Sequence, residues 1–288
     1  MSTQELKHLF SPIKINNVTI PNRVVFSAHV PLYWRMHEGP NERALQYYLA
    51  RVKGGVGLVI LGQNSVSAMS TAGGFLVMQN DRAIPAFENF AAAIHDHGAK
   101  VFGQLLHAGP LVDGSLTGGT GYGPSPIQYP GMGLLTPEYS PPVAMEIDDI
   151  KRVVEAYAAA AKRLQNAGFD GVEISSTVGA GLLLVSFLSP IYNKREDEYG
   201  GSLENRMRIH QEILEAVRNA VGPDFAVGLR MIADELIDNG LTLDDTRVIA
   251  SKLEESRNVD YLSVCAGVIG HVPPMYYLSN VRTSITRS

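Results

Sequence analysis

The chain has 288 residues and a formal net charge of −5, with 45% hydrophobic and 18% charged residues. This length suits one large α/β domain, and the composition is that of an ordinary globular protein. The acidic balance argues against nucleic-acid binding, which usually relies on a basic face. The only cysteine, Cys265, excludes an internal disulfide and an iron–sulfur or cysteine-rich metal site formed by this chain alone.

The ends and the hydropathy of the chain bear on its location. The N-terminal segment MSTQELKHLF lacks the basic-then-apolar pattern of a secretory signal. No stretch reaches the roughly 18 apolar residues that a membrane span needs. We therefore expect a cytoplasmic protein without nucleic-acid or membrane partners.

The first third of the sequence predicts a hairpin followed by alternating strands and helices. Residues 13–20 alternate in polarity around Asn16-Asn17, which is typical of a β-hairpin. Short apolar runs predict strands at 23–28, 57–61 and 101–106. Apolar residues at helical spacing predict helices at 41–53 and 83–98, both followed by or ending in glycine.

The same alternation continues after a long irregular stretch. Residues 107–145 are rich in Gly, Pro, Ser and Thr, which predicts a lid or binding loop. Further helices are predicted at 148–168, at 203–221, and from a capping box at Thr242 to about residue 255. Further strands are predicted at 171–174, 225–231 and 260–265.

Apolar strands that alternate with amphipathic helices require a parallel sheet covered by helices. The strand-to-helix loops are the long ones, as on the catalytic face of a barrel. Six β/α units are recognisable, and a closed (β/α)8 barrel needs about two more. The 23 residues from Ala266 to Ser288 show no further alternation. We predict an α/β fold, a (β/α)8 TIM barrel with an N-terminal β-hairpin that lacks its last two β/α units.

The segment 187–208, FLSPIYNKREDEYGGSLENRMR, predicts an ordered loop that leads into a helix. Gly200-Gly201 indicates a tight turn, because glycine reaches backbone angles closed to other residues. Ser202 is a suitable N-cap, and Glu204 favours the helix dipole in the first turn. We interpret the charges at 193–198 as pinning this loop rather than performing chemistry.

Six segments in fixed order, between residues 9 and 231, carry a family resemblance. They are LFSPIKINNVTIPNRVVFSA, RVKGGVGLVI, FGQLLHAG, AGFDGVEI, FLSPIYNKREDEYGGSLENRMR and VGLRM. In these segments the chain resembles the old yellow enzyme family of FMN-dependent oxidoreductases, particularly its dienoyl-CoA reductase and trimethylamine dehydrogenase branch. The resemblance implies a barrel with FMN at its mouth, NAD(P)H as reductant, and one FMN-binding domain spanning residues 1–288.

The resemblance also implies where the cofactor lies. Ser27, Ala28 and His29 match the segment whose backbone runs along the flavin. Gly62 and Gln63, placed after the second predicted strand, match the approach to the ring edge.

Two side chains are matched to the pyrimidine part of the flavin. Gln104 corresponds to an amide that bonds this ring, since an amide offers both donor and acceptor. Arg230 corresponds to the arginine near N1 and O2, where reduction leaves negative charge. From the residues alone, Gln104 could be an ordinary strand residue, and Arg230 could be structural and paired with a carboxylate such as Glu173.

Two histidines and the cysteine have both structural and functional interpretations. His107 lies in an HAG turn and, like His29, could be either a structural histidine or a site residue. Cys265 is expected to be a small core residue at a strand end.

The sequence departs from the family pattern after the fourth predicted strand. Ene reductases of the family carry HGAHGYL or a His/Asn version there, whereas this chain reads SSTVGAGL from Ser175 to Leu182 and is about two residues longer. Leu182 occupies the tyrosine position. Ser175, Ser176 and Thr177 can donate hydrogen bonds, but losing a positioned acid typically costs about 10²–10⁴ in rate.

The segment AGVIGHVPPM after the sixth strand loosely resembles the dienoyl-CoA reductase segment that contains a catalytic histidine. His271 is therefore a candidate proton donor, because a histidine titrates near neutrality. The alternative is an ordinary loop histidine.

The expected FMN phosphate site follows strands seven and eight, for which the sequence shows no counterpart. An open barrel would expose two sheet edges. We expect that the natural protein continues past Ser288; a homo-oligomer or a decayed remnant are the alternatives.

The leading function is therefore an FMN-dependent oxidoreductase that passes hydride between NAD(P)H, flavin and a small organic substrate, either an activated alkene or enoyl compound or an amine. The alternative is a truncated or degenerate flavin barrel without independent activity. A metal-dependent or Schiff-base barrel is disfavoured, since no histidine–carboxylate cluster has ligand spacing and Lys100 lies at the start of its strand.

Overall fold

The chain forms a parallel sheet whose convex face is covered by helices, as the sequence predicts. A computed structural model describes residues 6–29, 31, 33, 39–67, 76–112, 121–128, 141–177 and 182–267. It has the N-terminal hairpin and the curved, partial parallel barrel of an incomplete TIM barrel. The prediction of the fold class is confirmed.

The strands are short at the N-terminus and longest in the middle of the main sheet. They are β1 (Ile13–Ile15), β2 (Val18–Ile20), β3 (Val25–Phe26), β4 (Leu58–Ser65), β5 (Leu76–Val77), β6 (Lys100–Leu106), β7 (Tyr122–Gly123), β8 (Val143–Ala144), β9 (Gly171–Ser176), β10 (Ala226–Ile232) and β11 (Tyr261–Cys265).

Six α-helices alternate with these strands. They are α1 (Glu42–Lys53), α2 (Ile84–His95), α3 (Ile147–Asn166), α4 (Leu182–Leu188), α5 (Leu203–Val221) and α6 (Leu243–Ser256). Their starts are capped as the sequence predicts, because Ser202 accepts a hydrogen bond from the Asn205 amide and Thr242 forms a capping box with Asp245.

The main sheet has the order β11-β10-β9-β6-β4-β3, and all of its pairs are parallel. β5 lies off this path and pairs with the end of β4. Within the described part of the chain, β3 and β11 each pair on one side only. Valines at these edges are exposed, Val25 by 46% and Val264 by 62%.

The core has two parts on the two faces of the sheet. The larger part lies between the strands and the helices and contains the apolar faces of α1 to α6. The smaller part fills the concave face near the amino ends of the strands, where Ile20 packs with Leu58, Ile60, Phe102 and Ala226. The hairpin therefore closes the bottom of the half-barrel.

Two predicted strands have wrong boundaries, and one helix was not predicted. The strand predicted at 23–28 covers only Val25–Phe26. The strand predicted at 57–61 continues beyond Leu61 to Ser65, and its pairing with β6 has a register shift between Leu61 and Asn64. The helix Leu182–Leu188 was not predicted, because its continuous apolar run has no periodicity. Within the described ranges, no helix combines the length and hydropathy needed to cross a bilayer.

Candidate functional site

The concave face of the half-barrel changes from apolar to polar toward the carboxyl ends of its strands. The strand register arranges side chains that point to this face in layers. The lowest layer contains Phe102, Gly171 and Ala226; the next contains Gln104, Glu173, Gly228 and Tyr261; the uppermost contains Ser175, Arg230 and Ser263. Polar groups are thus concentrated where barrel enzymes carry their sites.

Glu173 is the centre of the middle layer. Its side chain is fully buried. The Gln104 Nε2 donates to Glu173 Oε1 at 2.7 Å, and the Tyr261 hydroxyl donates to Oε2 at 3.2 Å. Gly228 makes room for the tyrosine ring, since a Cβ atom there would lie 2.1 Å from Tyr261 Cε1. The layer is therefore a hydrogen-bonded network that spans four strands.

The surroundings of Glu173 have opposing effects on the pKa of its carboxyl group. Burial is the largest influence and raises the pKa of the Glu173 carboxyl. The Gln104 hydrogen bond and the charge of Arg230 lower that pKa and favour the carboxylate. Burial also raises the pKa of Tyr261 far above its usual value, so its hydroxyl stays a donor.

Arg230 lies in the layer above Glu173 and is partly exposed. Its Nη1 donates to Ser263 Oγ at 3.2 Å. Both interpretations of Arg230 are compatible with this position: it offsets the charge of Glu173, and its guanidinium lies on the open, carboxyl side of the network.

Ala28, Gly62 and Gln104 meet beside the network, as expected from the resemblance. A Cβ atom at Gly62 would lie 2.6 Å from Ala28 Cβ and 3.4 Å from Gln104 Oε1. The neighbouring Gln63 has a buried Oε1 without a hydrogen-bond partner among the described residues. Gly62 and Gln63 belong to β4 rather than to the loop after it, which corrects the sequence prediction. A side chain at position 62 would not fit between Ala28 and Gln104, so glycine permits this close contact.

Ser27 and His29 follow β3 and differ in their surroundings. Ser27 is exposed. The His29 ring is directed to α1, where its Nε2 lies 2.8 Å from the Tyr47 hydroxyl. The ring packs edge-on against Phe26, with centroids 4.9 Å apart. Burial lowers the pKa of His29, so the neutral ring is favoured. These contacts hold the His29 side chain against α1, and a contact between this segment and the cofactor stays a prediction.

The His107 ring is held inside the fold by the turn that follows β6. It is fully buried, and its Nδ1 accepts a hydrogen bond from the Gly109 amide at 3.1 Å. Burial lowers the pKa of His107 to about 3. Its carbonyl accepts from the Leu183 amide in α4 at 3.3 Å, which ties the helix to the end of β6.

The atypical segment begins within β9, and its side chains point to both faces of the sheet. Ser175 is in the uppermost layer, and its Oγ lies 3.2 Å from Thr177 Oγ1. Ser176 faces outward, and its Oγ lies 2.8 Å from Nε2 of the buried His210 in α5. Leu182, at the expected tyrosine position, is fully buried in α4. Among the described residues of this segment, Ser175 and Thr177 are the hydroxyl donors on the site side.

The chain beyond β11 is described only in part. Cys265 ends β11, and its Sγ lies 3.5 Å from the Met231 carbonyl. Burial raises the pKa of this thiol, and the partly buried side chain packs against the edge of the larger core. His271, the candidate proton donor, and much of the predicted loop 107–145 lie outside the described residues.

The segment 187–208 forms a pinned loop, as predicted. Asn193 Nδ2 donates to the carbonyls of Phe187 and Tyr199 at 2.7 and 2.8 Å. Arg195 Nη1 donates to the carbonyls of Pro124 and Met145 at 3.2 and 2.6 Å. The charges of this loop are thus used to hold neighbouring backbone.

Sequence reasoning identified Gln104 and Arg230 but treated Glu173 only as a structural partner and missed Tyr261 and Ser263. The available signal was the period of two along β11, in which Tyr261, Ser263 and Cys265 alternate with apolar residues. Among the described residues, no group of three or more His, Cys, Asp or Glu side chains is arranged to hold a metal ion.

The chain is similar to a known protein family and to several of its members. The model of the NADH:flavin oxidoreductase / NADH oxidase family matches residues 8–272. N,N-dimethylglycine/sarcosine dehydrogenase of Chromohalobacter salexigens is 40% identical over 261 residues, which are 89% of this chain and 36% of that protein. NADH oxidase of Thermoanaerobacter brockii is 34% identical over 93% of this chain and 40% of that protein.

Among solved structures, a 2-naphthoyl-CoA reductase in complex with 2-naphthoyl-CoA superposes with a TM-score of 0.86 at 28% identity. The similarity covers 98% of this chain and 46% of that one. The chain thus spans less than half the length of these three relatives. It belongs to the NADH:flavin oxidoreductase / NADH oxidase family, that is, to the old yellow enzyme family in the branch of dienoyl-CoA reductases and trimethylamine dehydrogenases.

Proposed function

We propose that the chain is the flavin-binding part of an FMN-dependent oxidoreductase that passes hydride between NAD(P)H, the flavin and a small organic substrate. The observation that carries this proposal is the meeting of Ala28, Gly62 and Gln104 beside the network of Glu173 and Arg230. Family membership supplies the cofactor class.

The residues present fit the flavin ring. Gln104 Nε2 is held by Glu173, so Oε1 and the remaining N–H are available to a ring edge with mixed donors and acceptors. The unpartnered Oε1 of Gln63 offers a second acceptor. Gly62, which has no side chain, lets the backbone lie close to Ala28. Arg230 provides the positive charge that suits an electron-rich pyrimidine edge. When bound, FMN would supply the two-electron redox chemistry.

The substrate is proposed at the level of chemical class. Ser175 and Thr177 provide hydroxyl donors on the open side of the layers. They can orient a polar group, but at neutral pH a hydroxyl is a poor acid. His271 is the proposed proton donor for an activated alkene or enoyl substrate. An amine substrate needs no pair of donors on a carbonyl oxygen, and one relative is a dehydrogenase of N,N-dimethylglycine and sarcosine.

A second candidate is a degenerate flavin barrel without independent activity. The observation in its favour is the pair of open edges at β3 and β11 in the described part of the chain. Such edges expose unpaired backbone groups and promote association. A continuation of the natural protein past Ser288 or a homo-oligomer would cover them. One domain spanning residues 1–288 and a cytoplasmic location are also part of our proposal.

Purification in the presence of FMN separates these candidates. We expect a yellow protein whose colour bleaches with NADH or NADPH, and we expect Arg230→Ala and Gln104→Leu to weaken FMN binding by about tenfold or more. Arg82→Ala is the control, because Arg82 is exposed in the turn between β5 and α2 and belongs to none of the layers. A colourless protein at saturating FMN, with native circular dichroism, would support the degenerate barrel.

A further inference from the structure

We propose that Glu173 is the positioning residue of the flavin site: it fixes the Gln104 amide and offsets the charge of Arg230, and thereby sets the reduction potential of the bound flavin. This inference rests on the proposed function. It assigns a role to a residue that sequence reasoning treated only as a structural partner.

Glu173 fixes the orientation of the Gln104 amide. A side-chain amide can be flipped about its last bond, and its hydrogen-bond partners decide which end points where. Glu173 Oε1 accepts from Gln104 Nε2 at 2.7 Å, and a carboxylate oxygen can only accept. Gln104 Oε1 is therefore forced toward Gly62. The carboxylate selects the acceptor end of the amide for the ligand side.

The hydrogen bonds of Glu173 bear on its charge state. Its two described hydrogen bonds come from donors, the Gln104 amide and the Tyr261 hydroxyl. An N–H₂ group cannot accept a hydrogen bond, so a proton on Oε1 would have no partner there. Burial, the largest influence, raises the pKa of the Glu173 carboxyl, whereas these hydrogen bonds and the nearby charge of Arg230 lower it and favour ionisation. The arrangement fits a carboxylate.

The charges of Arg230 and Glu173 would have opposite effects on the reduction potential of a bound flavin. Two-electron reduction adds negative charge to the ring, and Arg230 alone would favour the reduced form strongly. A buried carboxylate one layer below opposes part of that effect. Such a charge acts with little screening, because its surroundings exclude water. Glu173 is thus expected to keep the potential lower than Arg230 alone would set it.

The test compares FMN affinity in both redox states for Glu173→Gln and for a matched control, Glu212→Gln. Glu212 also accepts from a tyrosine hydroxyl, that of Tyr199 at 3.0 Å, but lies in α5 outside the sheet. The readouts are the FMN dissociation constant by fluorescence quenching and the midpoint potential by dye equilibration.

For Glu173→Gln we expect the ratio of dissociation constants, oxidised over reduced, to rise about tenfold, which is about 30 mV for a two-electron couple. Glu212→Gln should leave the ratio unchanged. An unchanged ratio in Glu173→Gln, with FMN still bound, would overturn the inference and leave the proposed function intact. A wild-type chain that binds no FMN would overturn both.

Tyr261→Phe keeps the proposal testable if Glu173→Gln does not fold. This variant retains the carboxylate but removes one of its donors, so its charge is less well compensated. The same ratio should then fall severalfold below the wild-type value. A ratio equal to that of the wild type would count against the role of Glu173.

Discussion

Asp170 and Val101 are joined by two hydrogen bonds that run in opposite directions. The Asp170 amide donates to the Val101 carbonyl at 2.9 Å, and the Val101 amide donates to Asp170 Oδ2 at 2.9 Å. The pattern recurs two strands further along the sheet, where Asp260 and Val227 exchange bonds of 2.7 and 2.8 Å. A carboxylate just before a strand thus clamps the neighbouring strand of the sheet at its amino end.

Asp170→Ala should destabilise the chain by about 2–3 kcal/mol, because it leaves the Val101 amide without its partner and removes the ion pair with Lys100. Chemical denaturation followed by circular dichroism measures this loss. Asp148→Ala is the control, since its pair with Lys151 is exposed and should be worth under about 1 kcal/mol. Equal losses in the two variants would refute the clamp.

The stability should fall as the pH drops below 6.5. His107 and His210 are buried, and burial lowers the pKa of each from 6.5 to about 3. Between these values the unfolded chain binds more protons than the folded one, so each histidine removes up to about 1.4 kcal/mol per pH unit as acid is added.

His210→Gln should therefore reduce the slope of unfolding free energy against pH between 6.5 and 3. His97→Gln, which alters an exposed histidine, should retain the wild-type slope. Urea denaturation at a series of pH values measures both. If the unfolding free energy of His210→Gln had the same pH slope as that of the wild type, the acid sensitivity would have to come from other groups.

Gly228→Ala should cost about 1–3 kcal/mol through overpacking. The new methyl group would meet the ring of Tyr261 at 2.1 Å, and the ring is held by Glu173. Thermal unfolding measures the loss, and adding Tyr261→Ala should make the glycine substitution nearly neutral within that background. Gly54→Ala, at the end of α1 with a φ of −79°, should have little effect. Additive losses in the double variant would contradict the proposed clash.

Asn193→Ala should loosen the loop 187–208 at a cost of about 2–3 kcal/mol, since two buried carbonyls lose their donor. These carbonyls belong to Phe187 and Tyr199. Hydrogen exchange should show faster exchange at 193–201 while α2 stays protected. The control is Asn219→Ala on the exposed face of α5, and exchange rates like those of this control would refute the pinning role.

The sequence predicted those features that depend on neighbouring residues. The caps at Ser202 and Thr242 and the hairpin around Asn16 are local, so their residue types suffice. The end of β4 was misplaced because Gly62 looks like a terminator, whereas the strand continues past it. A glycine in a strand can also mark close approach of another group, here Ala28.

The site was only partly predictable for a different reason. Gln104 and Arg230 were found through family resemblance, but their connection through Glu173 depends on strand register. Gln104 and Glu173 are 69 positions apart, and Tyr261 follows Glu173 by a further 88. No local pattern specifies which strands become neighbours, so the network appears only once the sheet is assembled.

The clamps at Asp170 and Asp260 have a consequence for how the sheet is assembled. Each clamp joins a strand to one that precedes it along the chain and lies next to it in the sheet. The register of an arriving strand can thus be fixed by residues already synthesised, without waiting for the edges to close. We expect the sheet to grow strand by strand from β4 toward β11, with β11 the last to be protected from exchange during refolding.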